Sequence, residues 1–582
     1  MKFCYFALSA TLLALSCTQQ PVKRFTSAAR PERITILATS DFHGELEGVE
    51  GVTGENKKIT IGGAPYFASY IRILRENAGN PVVWIDAGDL FQGSLASNRF
   101  EGAPVVKLMN HLGLDAAALG NHEFDYGPAG DKSVPRSPSD DPRGALKARI
   151  KESRYPILAA NVFTTAGKIP EWLKASTVIE RFGVRIGVVG GASPGTASTT
   201  NALNLTGIEF KPLLPYVQRE AERLRKEERA DLVVLTVHDG GACTENESTK
   251  QDDVSSCDNK EILELADKLP EGLVNMIVSG HTHRGVAKRA KNGTVVMQPF
   301  SHGKYIGWVN VNVASGKAEV GGLVPVCEKV FDTSKGKTCD PIQLKFAKGE
   351  PMQAEFFGKK ISADRTVVDL LEPDLKKVRE FKESPLGFVS HDVISRNFKN
   401  ESALGNLMAD ITKEAYPGAD VGFGNAGGLR SNINPGPVTY GDVFGVLPFD
   451  NQLSVMKVTG QQLWNLAAVG VSGTVESYAW SSNVTLTADK CALKEFLLNG
   501  QPLSMTKIYK VATTDFLSGG GSGVNTVNIP KESIETFWDS NFILRELTVE
   551  VLKRWKKDLR SSDYFRSDQP RQKTLGRCER NG

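Results

Sequence analysis

PVVWIDAGD, residues 81–89, is an apolar, β-branched run that ends in a glycine and a carboxylate. Such a run predicts a strand, and Gly88 permits a tight turn that presents Asp89 directly after it. Four more strand-like runs end in polar residues of the same kind, at Asp41-Phe42-His43, Gly120-Asn121-His122-Glu123, His238-Asp239 and Gly280-His281-Thr282-His283. Because the carboxyl ends of neighbouring strands in an open α/β sheet meet at one edge, we expect these side chains to lie together.

The strand-like runs alternate with helical stretches from Arg33 to about Gly322, which predicts a layered α/β domain. We predict strands at Ile34–Thr39, Pro81–Asp86, Ala116–Leu119, Tyr155–Ala159, Val184–Val189, Leu232–Val237, Met276–Ser279 and Ile306–Val313. We predict helices at Gly63–Asn77, Val105–Leu112 and Leu213–Glu228.

A second α/β region runs from about Ser384 to Lys556, and it begins with a predicted helix at Glu401–Tyr416 and a strand at Asp420–Gly424. Before it, Val367–Lys382 carries leucine and valine at helical spacing and predicts a connecting helix. A chain of 582 residues is too long for one ordinary hydrophobic core, so two large domains agree with the length.

The composition is that of a soluble globular protein, with 40% apolar and 24% charged residues. The formal net charge is only +3, so no strong attraction to a nucleic acid polymer or to acidic lipid is expected. The basic run at 553–557 is interpreted as a solvated helix face rather than a binding patch.

The N-terminus has the features of an export signal. Phe6–Leu15 is an apolar segment of signal-peptide length, and Ala14-Leu15-Ser16-Cys17 resembles a bacterial lipobox with Cys17 as the lipidated residue. The alternative is ordinary cleavage in the same region, which would leave a soluble exported protein. We therefore predict a periplasmic, outer-membrane or cell-surface protein that contacts the membrane through a lipid anchor if Cys17 is lipidated.

The cysteines agree with export into an oxidising compartment. Apart from Cys4 and Cys17 there are six, of which Cys243 and Cys257 bracket one polar loop and Cys327 and Cys339 another, with Cys491 and Cys578 left over. We expect these three pairs, although six cysteines allow fifteen pairings.

Five of the eight histidines lie at the ends of predicted strands, each beside another potential metal ligand. Asp41 and His43 are two residues apart on an extended segment, so both side chains point to the same side and can bind the same ion. Each motif alone is weak, since a histidine beside a glycine is more often an ordinary loop residue. All five in order instead predict a site for two divalent cations, and oxygen and imidazole ligands favour Mn²⁺, Zn²⁺, Fe²⁺ or Co²⁺.

These ordered motifs resemble those of the calcineurin-like metallophosphoesterases. The stretches 86–93, DAGDLFQG, and 120–127, GNHEFDYG, resemble more specifically the 5′-nucleotidase branch. The resemblance covers most of the chain that follows the N-terminal signal. It implies an N-terminal αββα sandwich and a separate C-terminal α/β substrate domain.

The resemblance also implies roles for individual residues. The first cation would be bound by Asp41, His43, Asp89 and His283, and the second by Asp89, Asn121, His238 and His281, so that Asp89 bridges them. His122 would act on the phosphate as a transition-state stabiliser or as proton donor to the leaving oxygen, with Asp125 orienting it. A hydroxide that bridges the two cations would attack phosphorus.

In the second domain, the resemblance implies substrate-binding residues. Arg430, in the turn Asn425-Ala426-Gly427-Gly428-Leu429-Arg430, and Arg396 would bind phosphate, Phe449 and Phe516 would stack on a nucleobase, and Asn451 would contact it. Two residues depart from the family pattern. Ser522 stands where an aspartate would contact ribose hydroxyls, and Val524 replaces an aromatic residue, which weakens the case for nucleoside selectivity.

The resemblance thus implies a hydrolase that releases phosphate from nucleoside 5′-monophosphates, with UDP-sugars and 2′,3′-cyclic nucleotides as further candidate substrates. The alternatives are a phosphatase of the same fold for a non-nucleotide ester, a relative used in sulfur oxidation, and a catalytically silent surface binding protein. The expected divisions are a signal at 1–17, a tether at 18–30, a catalytic domain at 31–358, a linker helix at 359–384, a substrate domain at 385–560 and a tail at 561–582.

Overall fold

The structure, a computed structural model, describes residues 30–576 except 56, 131–133, 136, 201–202, 334–335 and 538–542. The expected signal at 1–17, including Cys17, and the tether before residue 30 lie outside the described residues. Among the helices that are described, none is long and apolar enough to span a membrane.

Two six-stranded sheets form the N-terminal domain. The first sheet has the strand order Ala318–Pro325, Tyr305–Asn312, Arg33–Thr39, Val82–Asp86, Ala116–Ala118, Ile157–Leu158. The second has the order Gly285–Arg289, Val295–Pro299, Met276–Ser279, Leu232–His238, Val184–Ala192, Ser176–Arg181. The central strands of both sheets are parallel, so their carboxyl ends lie at one edge.

The two sheets pack face to face. Alternate residues of the central strands, such as Ile36 and Val83 from the first sheet and Val234 and Val278 from the second, form one buried apolar core between them. The helix Ala64–Asn77 packs on the outer face of the first sheet, and Leu213–Lys226 packs on the outer face of the second. The predicted αββα sandwich is therefore confirmed.

Several edge strands were not predicted, and local sequence explains why. Ala318–Pro325 contains Gly321-Gly322, a pair that favours a turn. In the structure the indole of Trp308 lies against both glycines, where a Cβ atom would come within 2.3 Å of the ring. The glycines thus make room for a neighbouring side chain and do not end the strand.

A long helix, Arg365–Lys382, connects the domains in the predicted place. The C-terminal domain has a five-stranded sheet in the order Tyr478–Trp480, Val421–Asn425, Ile508–Thr514, Leu453–Thr459, Ile534–Thr536. A four-stranded sheet has the order Gln501–Pro502, Ala492–Leu498, Val484–Asp489, Gln572–Thr574, and Pro385–Ser390 pairs with Gly436–Thr439. Part of the expected tail, Gln572–Thr574, is thus a strand of this domain.

Short strands and the remaining helices complete the described chain. The short strands are Val49–Val52 with Lys58–Ile61, Val162–Thr164 with Ile208–Phe210, Ala242–Cys243 with Cys257–Asn259, Lys329–Thr333 with Gly336–Thr338 and Met352–Gln353, and Glu355–Phe356 with Lys359–Lys360. The other α-helices are Leu95–Asn98, Ala103–Leu112, Gly144–Glu152, Thr196–Thr199, Glu261–Lys268, Pro341–Leu344, Ala403–Ala415, Tyr440–Val446, Gly460–Val471, Asp515–Ser518, Leu544–Trp555 and Ser561–Tyr564.

Two of the expected disulfides are present. Cys243 is bonded to Cys257, and Cys327 is bonded to Cys339, so each closes the polar loop that its cysteines bracket. Cys491 is also disulfide-bonded. Its expected partner, Cys578, lies outside the described residues.

Candidate metal centre

The seven predicted metal ligands come from both sheets of the sandwich. Asp41, His43, Asp89 and Asn121 follow strands of the first sheet, whereas His238, His281 and His283 end or follow strands of the second. All of these strands deliver their carboxyl ends to the same edge, so the structure brings the side chains together there.

The backbone at this edge is unusual. Five of the seven residues have positive φ angles although none is glycine: Asp41 at 50°, His43 at 51°, Asp89 at 57°, His281 at 77° and His283 at 57°. Each such residue costs on the order of 1–3 kcal/mol, and clusters of such residues occur at active sites and ligand-binding sites. Backbone hydrogen bonds of 2.9 Å, from Asp41 N to Gly88 O and from His43 N to Asp89 O, hold two of the loops against each other.

Two clusters of ligand atoms share Asp89. In the first, His43 Nε2 lies 2.9 Å from His283 Nε2 and 3.7 Å from Asp89 Oδ2, and His283 Nε2 lies 3.5 Å from Asp41 Oδ1. Within each cluster the ligand atoms of the acids and histidines all lie within 4.8 Å of one another.

The second cluster adds an amide oxygen to the imidazoles. His238 Nε2 lies 3.0 Å from Asp89 Oδ2 and 3.0 Å from Asn121 Oδ1, and His281 Nδ1 lies 3.1 Å from the same amide oxygen. The division of ligands between the clusters agrees with the sequence expectation, with Asp89 as the shared residue.

The donor set fits two divalent cations. The outer nitrogens, Nδ1 of His43 and Nδ1 of His238, lie 2.7 and 2.8 Å from the carbonyls of Gln92 and Ala87, so donating to these carbonyls leaves each Nε2 lone pair directed inward. Burial lowers the pKa of His281 to about 4 and that of His283 to about 2, which keeps both imidazoles neutral. Imidazole nitrogens and buried carboxylate oxygens that converge in this way match first-row divalent metals.

A histidine–aspartate pair lies beside the clusters. His122 Nδ1 is 2.5 Å from Asp125 Oδ2, and the backbone N–H of His122 donates to Asp89 Oδ1 at 2.9 Å. Burial lowers the pKa of His122, but Asp125 and Asp89 outweigh it and raise the pKa to about 9. Asp125 therefore fixes Nδ1 of the ring and favours the imidazolium form.

Glu123 supports the site, although sequence reasoning assigned it no role. Its buried carboxylate accepts hydrogen bonds from three backbone N–H groups, those of Leu90 at 2.6 Å, Gly120 at 2.7 Å and Asp89 at 3.0 Å. These bonds join the turn that presents Asp89 to the loop that presents His122. The sequence feature that could have identified Glu123 is its place in the Gly-Asn-His-Glu motif, directly after His122.

A sixth histidine, His302, also borders the first cluster. Its ring stacks on His43 with centroids 5.2 Å apart and lies edge-on to His283 at 5.4 Å. The backbone N–H of His302 donates to the Asp41 carbonyl at 2.6 Å. Like the predicted ligands, it follows a strand, Val295–Pro299, and this position could have identified it.

The C-terminal domain faces the centre through the loop that follows Tyr440–Val446. The Phe449 ring lies 6.4 Å from the His122 ring at an interplanar angle of 23°, and the Arg430 guanidinium lies over the Phe449 ring, 5.4 Å from its centroid. Arg396 donates to the Leu429 carbonyl, next to Arg430. The two arginines and Phe449 are thus grouped beside the metal centre.

The other two predicted substrate residues lie on adjoining segments. Phe516 belongs to the short helix Asp515–Ser518 and is 39% exposed, which leaves its ring available to a ligand. Asp515 exchanges hydrogen bonds of 2.9 Å with the backbone of Gln452, the residue after Asn451. Val524, which stands where the family pattern has an aromatic residue, is buried in the core of this domain.

Known proteins share both domains. Residues 34–285 match the calcineurin-like phosphoesterase family, and residues 385–529 match the 5′-nucleotidase C-terminal domain. The chain is 27% identical over 580 residues to Protein UshA of Yersinia enterocolitica, covering 94% of this chain and 96% of that protein. It is 25% identical to a 5′-nucleotidase of Vibrio cholerae, covering 92% and 95%.

A solved structure shows the same fold over most of this chain. The 5′-nucleotidase precursor of Thermus thermophilus superposes with a TM-score of 0.66 at 22% identity, covering 93% of this chain and 99% of that one. The two sheets, the ordered ligands at their common edge and both matching domains lead to one assignment: the chain belongs to the calcineurin-like phosphoesterases that carry a 5′-nucleotidase C-terminal domain.

Proposed function

We propose that this protein releases phosphate from nucleoside 5′-monophosphates, with UDP-sugars and 2′,3′-cyclic nucleotides as further substrates. The main observation that supports this proposal is that two clusters of candidate metal ligands, which share Asp89, lie directly beside Phe449 and Arg430 of the second domain. The name of the relative from Vibrio cholerae, a 5′-nucleotidase, supports a nucleotide as the substrate.

The residues of the first domain would act at the phosphate. Two divalent cations held by the seven ligands, chosen from Mn²⁺, Zn²⁺, Co²⁺ and Fe²⁺, would supply positive charge beside the phosphate and activate water. His122, held by Asp125, would donate a hydrogen bond to a phosphate oxygen or a proton to the leaving oxygen. Asp125 is hydrogen-bonded to Nδ1 of His122, which leaves the other ring nitrogen, Nε2, directed away from Asp125 as the reactive atom.

The second domain would hold the rest of the substrate. Arg430 and Arg396 would bind phosphate oxygens, because a planar guanidinium matches the geometry of a phosphate. Phe449 and Phe516 would stack on the two faces of the base, and Asn451 would hydrogen-bond to its edge. The catalytic domain would extend over 31–358 and the substrate domain over the residues after the linker at 359–384.

The location of the protein is part of the proposal. Two disulfides in the N-terminal domain agree with an oxidising compartment, as in the periplasm or at a cell surface. A lipid on Cys17 would anchor the protein to a membrane, and cleavage without lipidation would release it. Mass spectrometry of the N-terminal peptide of the exported protein distinguishes the two.

The first experiment measures phosphate release from 5′-AMP with added Mn²⁺. We expect turnover by the wild type and a loss of at least about 100-fold in Asp89→Asn, because the shared carboxylate serves both clusters. Asp258→Asn, which removes an exposed carboxylate of the same domain, should retain full activity. Turnover of other phosphoesters without AMP would instead favour a non-nucleotide phosphatase, and no turnover of any ester would favour a silent binding protein.

A further inference from the structure

A carboxylate that the proposed mechanism does not use lies in the C-terminal domain. Glu476 Oε1 accepts a hydrogen bond of 2.5 Å from Ser522 Oγ and one of 2.8 Å from Asn425 Nδ2. Asn425 Nδ2 also lies 3.0 Å from Ser522 Oγ, so the three side chains form a closed triangle. Three separate segments of the chain meet at this point.

The second oxygen of this carboxylate is available. The two side chains that donate to Glu476, Ser522 and Asn425, both bond to Oε1. Among the residues that the structure describes, no donor is hydrogen-bonded to Oε2. The side chain is half-buried, so it borders solvent, and its two hydrogen bonds fix its orientation. A carboxylate oxygen held in this way accepts hydrogen bonds and donates none.

The loop that carries Ser522 is itself held in place. Ser522 has a left-handed backbone with φ of 51°, and the Tyr478 hydroxyl donates to its carbonyl. The Ser522 side chain thereby points at Glu476 and not at solvent. Its hydroxyl cannot carry the charge of the aspartate that the family pattern has here, but it is hydrogen-bonded to the charged group of Glu476.

Contacts link Glu476 to both parts of the proposed substrate site. A Cβ atom on Gly427, in the turn that leads to Arg430, would lie 2.7 Å from Glu476 Oε1. On the other side, a Cβ atom on Gly521 would lie 2.5 Å from the ring of Phe516. The sequence of contacts therefore passes from an exposed aromatic ring, past a carboxylate, to a guanidinium.

This order of chemical groups matches a ribonucleotide. A carboxylate repels phosphate and accepts hydrogen bonds, so the part of the substrate beside it must carry uncharged hydrogen-bond donors. In a ribonucleotide, the two vicinal hydroxyls of the ribose lie between the base and the phosphate and are donors of this kind. We propose that Glu476 binds the 2′- and 3′-hydroxyls of ribose, in place of the aspartate that Ser522 replaces. This assignment rests on the proposed nucleotidase function, and it predicts a preference for ribonucleotides over deoxyribonucleotides.

The test compares three substrates in the full-length protein: 5′-AMP, 2′-deoxy-5′-AMP and p-nitrophenyl phosphate, which has no sugar. We expect Glu476→Gln to lower kcat/KM for AMP about 10- to 100-fold, chiefly through KM, because a hydrogen bond to a charged group is lost. Its kcat/KM for the deoxynucleotide should fall much less, and that for p-nitrophenyl phosphate should not change. Glu495→Gln, an exposed substitution in the same domain, is the matched control.

The outcomes separate this assignment from the proposed function. Equal losses for AMP and 2′-deoxy-AMP would give Glu476 a structural role only and overturn the assignment, while the nucleotidase function would stand. A wild type that does not discriminate between the two nucleotides would overturn it in the same way. Turnover of p-nitrophenyl phosphate alone would overturn the nucleotidase function together with the assignment.

Discussion

At the scale of single residues, the same pair of side chains occurs in two settings. His122 and Asp125 are in contact inside the metal centre, whereas His391 and Asp558 form a similar pair, 3.0 Å apart, on the surface of the second domain. The second pair is 38% and 48% exposed. Only the first pair lies next to the clusters of candidate metal ligands. Because the two pairs consist of the same residue types, substitutions in both show whether the location of the pair determines its effect on activity.

His122→Asn should lower kcat for AMP by about 100- to 10,000-fold, as expected for the loss of a general acid or of a transition-state hydrogen bond. Metal content should remain near that of the wild type because His122 is not a predicted ligand. Steady-state kinetics and metal analysis of the purified variant check this. His391→Asn should retain activity within about twofold, and a small effect of His122→Asn would contradict the assigned role.

At the scale of elements, the loop that carries Phe449 is held by a helix that is distant in sequence. Arg545, on the helix Leu544–Trp555, is bonded to Asp450 at 2.6 Å and to the carbonyls of Leu447 and Phe449 at 3.3 and 3.4 Å. Its side chain is only 8% exposed. A single buried guanidinium therefore determines the path of this loop beside His122.

Arg545→Met should lower kcat/KM for AMP about tenfold and leave p-nitrophenyl phosphate hydrolysis unchanged, because the loop loses its anchor while the metal centre stays intact. The substitution should also lower the free energy of unfolding by about 1–3 kcal/mol, because Arg545 is buried but the Asp450 carboxylate left behind is 33% exposed and stays partly solvated. Kinetics and thermal unfolding measure the two effects. Arg554→Met, on the exposed face of the same helix, is the matched control, and equal losses on both substrates would argue against loop anchoring.

At the scale of the whole molecule, the metal centre joins two sheets and borders a second domain. Its ligands come from strand ends of both sheets, so a bound cation would tie the two halves of the sandwich together. The domains also touch beside the site, where Asn98 Nδ2 donates to the Pro448 carbonyl at 3.2 Å. Binding of metal should therefore change the stability of the N-terminal domain as a unit.

Removal of metal by a chelator should lower the Tm of this domain by roughly 10 °C. A ligand present at about 1,000 times its Kd adds about 4 kcal/mol to the native state, and a domain of this size shifts by a few degrees per kcal/mol. Calorimetry with and without Mn²⁺ measures the shift. In Asp89→Asn the shift should be small, and a full shift in that variant would show that the cation binds elsewhere.

The layered fold could be predicted from the sequence, and so could the meeting of the candidate metal ligands at one edge of the sheets. Buried strands are encoded as local runs of apolar residues, and the ligand motifs follow those runs directly in the chain. Once Leu232–His238 and its neighbours are recognised as parallel strands, their carboxyl ends must share an edge. The edge strand at Ala318–Pro325 was missed because its glycine pair has a local preference that packing of Trp308 overrides.

The remaining features were decided by tertiary structure. Glu123 bonds to a turn 33 and 34 residues away, and Ser522 bonds to Glu476 across 46 residues. No periodicity or motif encodes such contacts, because they depend on how loops from separate elements pack. The sequence by itself therefore determined the layered fold and placed the candidate metal ligands directly after its strands. Only the folded chain determined that Ser522 pairs with Glu476 and that Glu123 holds the turn at Asp89, since side-chain pairing between distant loops exists only after the sheets and domains have assembled.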